Sequence, residues 1–438
     1  MSTTKFGRRK LLAGALGTGA LGTVAGLAPV SRIFAASPVE RRTALLYFNG
    51  GWDVIIGPDA RNRDYMGTLD LGASLLPAQY RDPITATIGG TEVLWGAAMA
   101  PLLGHTDVLT LFRGVNMNTV SHPTGRAYVN TFIPPAGVVA RGDSLGTRLA
   151  SGVPADDFIM PNVAIGVPSF NLSYGSAVTG VGVAQSTQVR DLLRPLGAEL
   201  PDDVLTLLRR AQDATGSCVH ERVTGGSPEG GIRASRDRVR RLFEQGLEAE
   251  FDLSSQADVR ARYGIQNANN GREPAVVAAI THKLLKTGLA STVTAQLQSG
   301  MDTHATNWAT DQAQRLEQGN LALAALLNDL REDDPNLECT TVVAYSEFAR
   351  TPRINGNSGR DHWFASSILV FGGGLRRGVV GATVEETLGL RGVDFETGLP
   401  ADDGIVMLPE HVGATLAAAA GLDHSPFRVE PLRAWIGA

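Results

Sequence analysis

Apolar residues along this chain fall into short unbroken runs that alternate with longer stretches of helical period. Residues 44–48, Ala-Leu-Leu-Tyr-Phe, form one such run and stop at Asn49-Gly50-Gly51. Residues 108–112 form a second, stopping at Arg113-Gly114, and residues 163–167 a third. Runs this short, bounded by Gly and polar residues, predict strands. Helical spacing appears in residues 202–214, with Val204, Leu205, Leu207 and Leu208 on one side. It returns in residues 233–251, where Val239, Leu242, Phe243 and Leu247 recur along a charged background. Between these two, residues 225–231 read as an exposed Gly/Ser/Pro loop. The C-terminal half is more regular. It predicts a helix over 275–289, a strand over 292–298 and a helix over 311–330, whose buried side is marked by Leu316, Leu321, Leu323, Leu326, Leu327 and Leu330. A strand over 340–345, a strand over 367–371 ahead of Gly372-Gly373-Gly374, and an Ala-rich helix over 412–420 complete it. Alternating strands and helices predict an α/β fold: a doubly wound, mostly parallel sheet flanked by helices. No repeat divides the chain, and residues 200–270 fit a helical insertion.

The first 36 residues break this pattern. Lys5, Arg8, Arg9 and Lys10 precede an uncharged stretch, residues 11–28, rich in Gly, Ala and Leu. A basic start, an uncharged middle and a small-residue exit make an export signal, and the adjacent Arg8-Arg9 pair ahead of Lys10-Leu11-Leu12 makes it the twin-arginine kind. Eighteen helical residues would span about 27 Å, just short of a bilayer core. The many glycines and the absence of aromatics favour a cleaved leader over an anchor. Cleavage fits Phe34-Ala35-Ala36-Ser37, with Gly26-Leu27-Ala28 as the alternative. The expected location is therefore periplasmic or extracellular, reached as a folded chain through the twin-arginine translocase. Folded export also suits a protein that takes up its metal before it leaves the cell.

Removing that leader changes the charge picture. Residues 37–438 carry 34 basic and 44 acidic side chains, a net −10. Such a surface gives no electrostatic reason to seek nucleic acid or anionic lipid. Cys218 and Cys339 lie far apart; an oxidising compartment permits a disulfide between them, and two separate thiols fit slightly better.

In a mostly parallel sheet, ligands gather where the strands end. Polar residues stand at several of those ends. Asp53 follows the first strand, Asp302-Thr303-His304 follow strand 292–298, and Ser346-Glu347 follow strand 340–345. A loop over 351–360 then delivers Asp361-His362 just before the next strand. Asp53, Asp302, His304, Glu347, Asp361 and His362 form a mixed carboxylate and imidazole set suited to a divalent ion such as Zn²⁺, Mn²⁺ or Ca²⁺. Each also has a plainer reading. Asp53 fits a turn or an N-cap, Asp302 a cap, His304 a surface residue, Glu347 a partner for Arg350 or Arg353, and His362 an ordinary loop residue. Their shared end of the sheet favours one site.

The segment after strand 108–112, Ser121-His122-Pro123-Thr124-Gly125-Arg126, leads into a helix expected over 127–132. A hydroxyl at a helix N-terminus meets backbone N–H groups that favour an anion. Ser121 or Thr124 fits a nucleophile there, with Arg126 holding phosphate or sulfate oxygens; an N-cap role fits slightly better.

Taken together, Arg8-Arg9, Asn49-Gly50-Gly51-Trp52-Asp53, Met301-Asp302-Thr303-His304, Ser346-Glu347-Phe348-Ala349-Arg350, Gly359-Arg360-Asp361-His362 and Gly372-Gly373-Gly374 make the chain similar to the exported domain of unknown function 1501. The likeness runs from about residue 42 to the end and is thin over 170–270. That family resembles the alkaline phosphatase and sulfatase superfamily, which implies an alkaline-phosphatase-like α/β domain over 37–438 with metal ligands at the carboxyl edge of its sheet. The resemblance puts Asp53 at the first-strand ligand, Asp302 and His304 at the mid-chain ligands and His362 at the late histidine. Glu347 falls where an Asp-His pair usually follows a strand. Phe348 replaces that histidine, so a full two-zinc site is not carried over. The expected function is a metal-dependent hydrolase of phosphate or sulfate esters, with an anionic ester or a polysaccharide as substrate. The alternative is a non-catalytic binding or assembly factor on the same fold.

Overall fold

The central strand explains the rest. In the computed structural model, β1 (Arg42–Phe48) is buried along both faces. Ala44, Leu46 and Phe48 point into one apolar core and Leu45 and Tyr47 into another. This is the period-two alternation of a strand packed on both sides. The structure describes residues 41–62, 73–154, 157–194 and 247–437. The chain divides into units 1–35 and 36–438, and every described residue belongs to the second. The leader, the helices expected over 202–214 and most of 233–251, the loop 225–231 and Cys218 lie outside the described residues.

Next along the chain come the hairpin strands β2 (Ile84–Ile88) and β3 (Thr91–Trp95), then β4 (Leu109–Asn116) and helices α1 (His122–Thr131) and α2 (Leu145–Ala150). After them come β5 (Asn162–Ile165), β6 (Val181–Val183), α3 (Gln188–Leu193) and α4 (Ala257–Tyr263). The C-terminal part holds α5 (Pro274–Lys286), β7 (Thr292–Gln298), α6 (Ala313–Asp333) and β8 (Thr340–Tyr345). The short strands β9 (Ala349–Arg350) and β10 (His362–Trp363) follow, then β11 (Ala365–Gly372), β12 (Gly378–Val380) and α7 (Pro409–Ala419).

The main sheet has eight strands in the order β12-β4-β11-β8-β1-β7-β5-β6. It is mostly parallel. β1 pairs in parallel with β7 and β8, β5 with β7 and β6, and β12 with β4. Only β11 runs against its neighbours β4 and β8. Helices α5 and α6 cover the face that carries Phe48, and α1, α2 and α7 contribute to the opposite core. No helix among the described residues is long and apolar enough to cross a membrane.

The segments 44–48, 108–112, 163–167, 292–298, 340–345 and 367–371 are all strands; 292–298 and 340–345 keep their bounds, and the others have shifted ends. The third stops at Ile165 because Gly166 turns to φ +69°. The helix expected over 127–132 begins five residues earlier, at His122, with Pro123 in its first turn, and ends at Phe132 in a left-handed cap. The helix expected from 311 is preceded by one wide turn over Trp308–Gln312 and runs on to Asp333. Of the span 200–270, the described residues 247–270 hold two 3-10 turns and α4.

Candidate functional site

The carboxyl ends of β1, β4, β7 and β8 form one rim. Because β11 is reversed, its first residues reach that rim as well, with Ala365 opposite Asn116 at the end of β4. Five chain segments therefore meet there.

The chain after β1 shapes the floor. Gly50 and Gly51 adopt φ +120° and +77°. A Cβ on Gly50 would lie 2.6 Å from the Asp302 amide nitrogen, and one on Gly51 2.6 Å from the Phe348 ring. Only glycine passes through this gap, and doing so aims two amides at one carboxylate. Gly50 N–H donates to Glu347 at 3.0 Å and Gly51 N–H at 3.1 Å. Glu347 is fully buried. Burial alone would raise its pKa, but the hydrogen bond with His122 and the amides of Glu347 and Gly50 outweigh it and hold the carboxyl below its ordinary value. Ser346 Oγ donates to the Phe48 carbonyl at 2.6 Å and accepts from Trp52 N–H at 3.1 Å.

On that carboxylate rests His122, the first residue of α1, its Nδ1 2.8 Å from Glu347 Oε1. Burial would lower the His122 pKa; Glu347, and less strongly Asp302, raise it above the ordinary value. Helix and β8 loop are tightly apposed here: a Cβ on Gly125 would stand 3.0 Å from Glu347 Cβ. The Phe348 ring lies under His122 and His362, with centroids 4.8 and 4.4 Å away.

Arg350, also fully buried, ties the floor to the wall. Its guanidinium donates to the carbonyls of Gly50, Gly51, Met301 and Arg360 and reaches Asp302 Oδ1 at 2.7 Å. β9 and β10 pair so that Arg350 stands opposite His362. Asp302, half exposed, collects the imidazoles. His362 Nε2 and His304 Nε2 lie 3.2 and 2.9 Å from its Oδ1, and His122 Nε2 lies 3.2 Å from its Oδ2. Burial pushes the Asp302 pKa up, but Arg350 and His362 win and hold it far below the usual carboxylate range.

Each imidazole is anchored through Nδ1: His122 by Glu347, His304 by Asp361 Oδ1 at 2.9 Å, and His362 by the Val120 carbonyl at 2.6 Å. A carbonyl oxygen only accepts, so the proton of His362 sits on Nδ1 and its Nε2 presents a lone pair. That nitrogen is 2.8 Å from His304 Nε2. Burial lowers the His362 pKa, which keeps the ring neutral at pH 7. His304 turns Nδ1 to Asp361 and Nε2 to the His362 lone pair, to Asp302 Oδ1 and to the Arg350 guanidinium at 3.3 Å, so a cation or a shared proton between the two Nε2 atoms satisfies the group. His122, Asp302 and His362 each place one ligand atom within 4.8 Å of the others.

Of the residues singled out in the sequence, Asp302 and His362 stand in this group. His304 and Asp361 stand beside it, Asp361 with its pKa lowered first by the His304 hydrogen bond and then by Asn355. Glu347 stands behind His122; the plainer pairing of Glu347 with Arg350 does not form. Asp53 goes elsewhere. It is buried against Arg360 at 3.3 Å, the Trp308 indole N–H at 2.8 Å and the Ile55 amide at 3.0 Å, with the Arg360 guanidinium stacked 4.5 Å over the Trp308 ring. Ser121 occupies the N-cap position of α1 but makes no capping bond, Thr124 is half-buried, and half-exposed Arg126 comes within 3.9 Å of Glu347. Sequence reasoning missed His122. Its signal in the sequence is a histidine beside Ser121 and Thr124 in the segment that follows a strand.

Fold and site together define an α/β protein with a two-histidine, one-carboxylate group on the carboxyl rim of a mostly parallel sheet. Residues 76–432 match the family of proteins of unknown function DUF1501. The chain belongs to that family. No curated protein matches it.

Proposed function

We propose that this chain is an exported, metal-dependent hydrolase of phosphate or sulfate esters on an alkaline-phosphatase-like fold. The observation that carries the reading is the convergence of His122 Nε2, Asp302 and His362 Nε2 within 4.8 Å, on rings whose other nitrogens are already held. Anchoring a metal-binding imidazole through its far nitrogen is how proteins fix the tautomer that a metal needs. The donors fit a divalent ion of the Zn²⁺, Mn²⁺ or Ca²⁺ kind. When bound, such an ion polarises an ester oxygen and acidifies water. Around it, Arg126 holds anionic oxygens of the ester or ester-bearing polysaccharide, Ser121 and Thr124 offer hydroxyls, and Phe348 keeps the floor apolar. The twin-arginine leader sends the folded chain to the periplasm or beyond. Purified protein, supplied with each ion in turn, is expected to hydrolyse members of a phosphate and sulfate ester panel. Bound ion without turnover on any of them refutes the reading.

One observation favours the alternative, a non-catalytic binding or assembly factor. Asp53 is engaged by Arg360 and Trp308, and Phe348 stands where a second ligand is expected, so a second metal lacks donors. An intact ion site with an inert ester panel supports this alternative.

A further inference from the structure

We infer that the rim group selects a zinc-class ion and rejects the hard ions Ca²⁺ and Mg²⁺. This inference rests on the metal reading above and narrows it. The donor inventory decides it. Two of the three converging ligand atoms are imidazole nitrogens, and imidazole suits zinc and its first-row neighbours. Oxygen donors are scarce. Asp302 Oδ1 already accepts from the Arg350 guanidinium at 2.7 Å. Both Glu347 oxygens are buried against Gly50, Gly51 and His122. Asp361 Oδ1 serves His304 and Asn355. Among the converging ligand atoms the one oxygen comes from Asp302, whose Oδ2 lies on the His122 side. Calcium takes about six to eight oxygens and magnesium a near-ideal octahedron of them; one carboxylate oxygen among imidazoles provides neither. Three protein ligands in a half-open setting match the zinc sites that leave a fourth position for water or substrate. The Arg350 charge beside Asp302 further weakens the pull on a purely electrostatic guest.

The test is calorimetric titration of the full metal-free chain with ZnCl₂, CoCl₂, CaCl₂ and MgCl₂, with the visible spectrum of the cobalt form as a second readout. Zinc is expected to bind once per chain, on the order of 100-fold or more tighter than calcium, and cobalt to give the visible bands of a low-coordinate nitrogen/oxygen site. His362→Ala and Asp302→Asn are each expected to weaken zinc on the order of 100-fold while circular dichroism stays unchanged. Asp302 is half exposed, so its variant keeps the test open should the histidine variant misfold. Calcium or magnesium binding as tightly as zinc overturns the inference, as does zinc affinity indifferent to both substitutions. Zinc bound as expected but with no ester turned over refutes the hydrolase and leaves the ion assignment standing. No ion bound at all removes both.

Discussion

A buried carboxylate stays charged only when other groups meet its oxygens, and at Glu347 two glycine amides and an imidazole do so. Glu347→Leu strips all three at once. Two backbone N–H groups are left buried and unpaired, and His122 loses its anchor. A loss of about 3–5 kcal/mol is expected in denaturant unfolding, together with weaker zinc binding. His411 makes a separate case. Its Nδ1 accepts the Leu408 amide at the start of α7, and burial lowers its pKa from 6.5 to about 4. The folded state thus disfavours the charged ring. This contribution is complete above pH 6.5 and declines as pH falls from 6.5 towards 4, where only the unfolded chain takes up the proton. Roughly 3 kcal/mol is at stake. Urea unfolding of wild type between pH 4 and 7 should show this slope, and His411→Gln, which does not titrate, should flatten it; parallel curves for the two would refute the assignment.

At the scale of elements, the rim depends on how tightly the post-strand segments pass one another. Gly50→Ala forces a Cβ against the Met301 and Asp302 backbone at φ +120°. At least ~2 kcal/mol of stability should be lost, from strain and overpacking together. Arg350→Met leaves several carbonyls without their donor and is expected to cost about 3–5 kcal/mol, read as a lowered midpoint of thermal or urea unfolding. These couplings mark the boundary of what the sequence discloses. The apolar run of β1 was legible because a strand buried on both faces is apolar on both, whereas β7 alternates Val293, Ala295 and Leu297 with Thr and Gln. The hairpin of β2 and β3 is not among the strands read from unbroken apolar runs, because Ile84, Ala86 and Ile88 alternate with Thr85 and Thr87, although Gly89-Gly90 marks its two-residue turn. That Asp302 and His362 share a rim was legible from their places beside strands. The role of His122 was not, because it depends on a carboxylate 225 positions away. Nor was the engagement of Asp53, whose partner Arg360 lies 307 positions on. Local pattern sets strand and helix; register across hundreds of residues sets which side chains touch.

For the whole molecule, an ion gripped only in the folded state stabilises everything attached to it. At free zinc about 100 times the dissociation constant, linkage adds roughly 2.7 kcal/mol. Thermal unfolding should therefore shift upward with zinc and return with chelator, and Asp302→Asn, about 100-fold weaker, should keep only roughly 0.4 kcal/mol of that gain. The reversed direction of β11 bears on a different matter. The chain leaves the rim at Tyr345 and comes back to it at Ala365, with β9 and β10 cross-tying the two flanks, while Gly356 and Asn357 stand exposed at the tip. That excursion is a natural splice port: a reporter peptide grafted between those two residues would hang beside the imidazoles without sliding any strand past its neighbour.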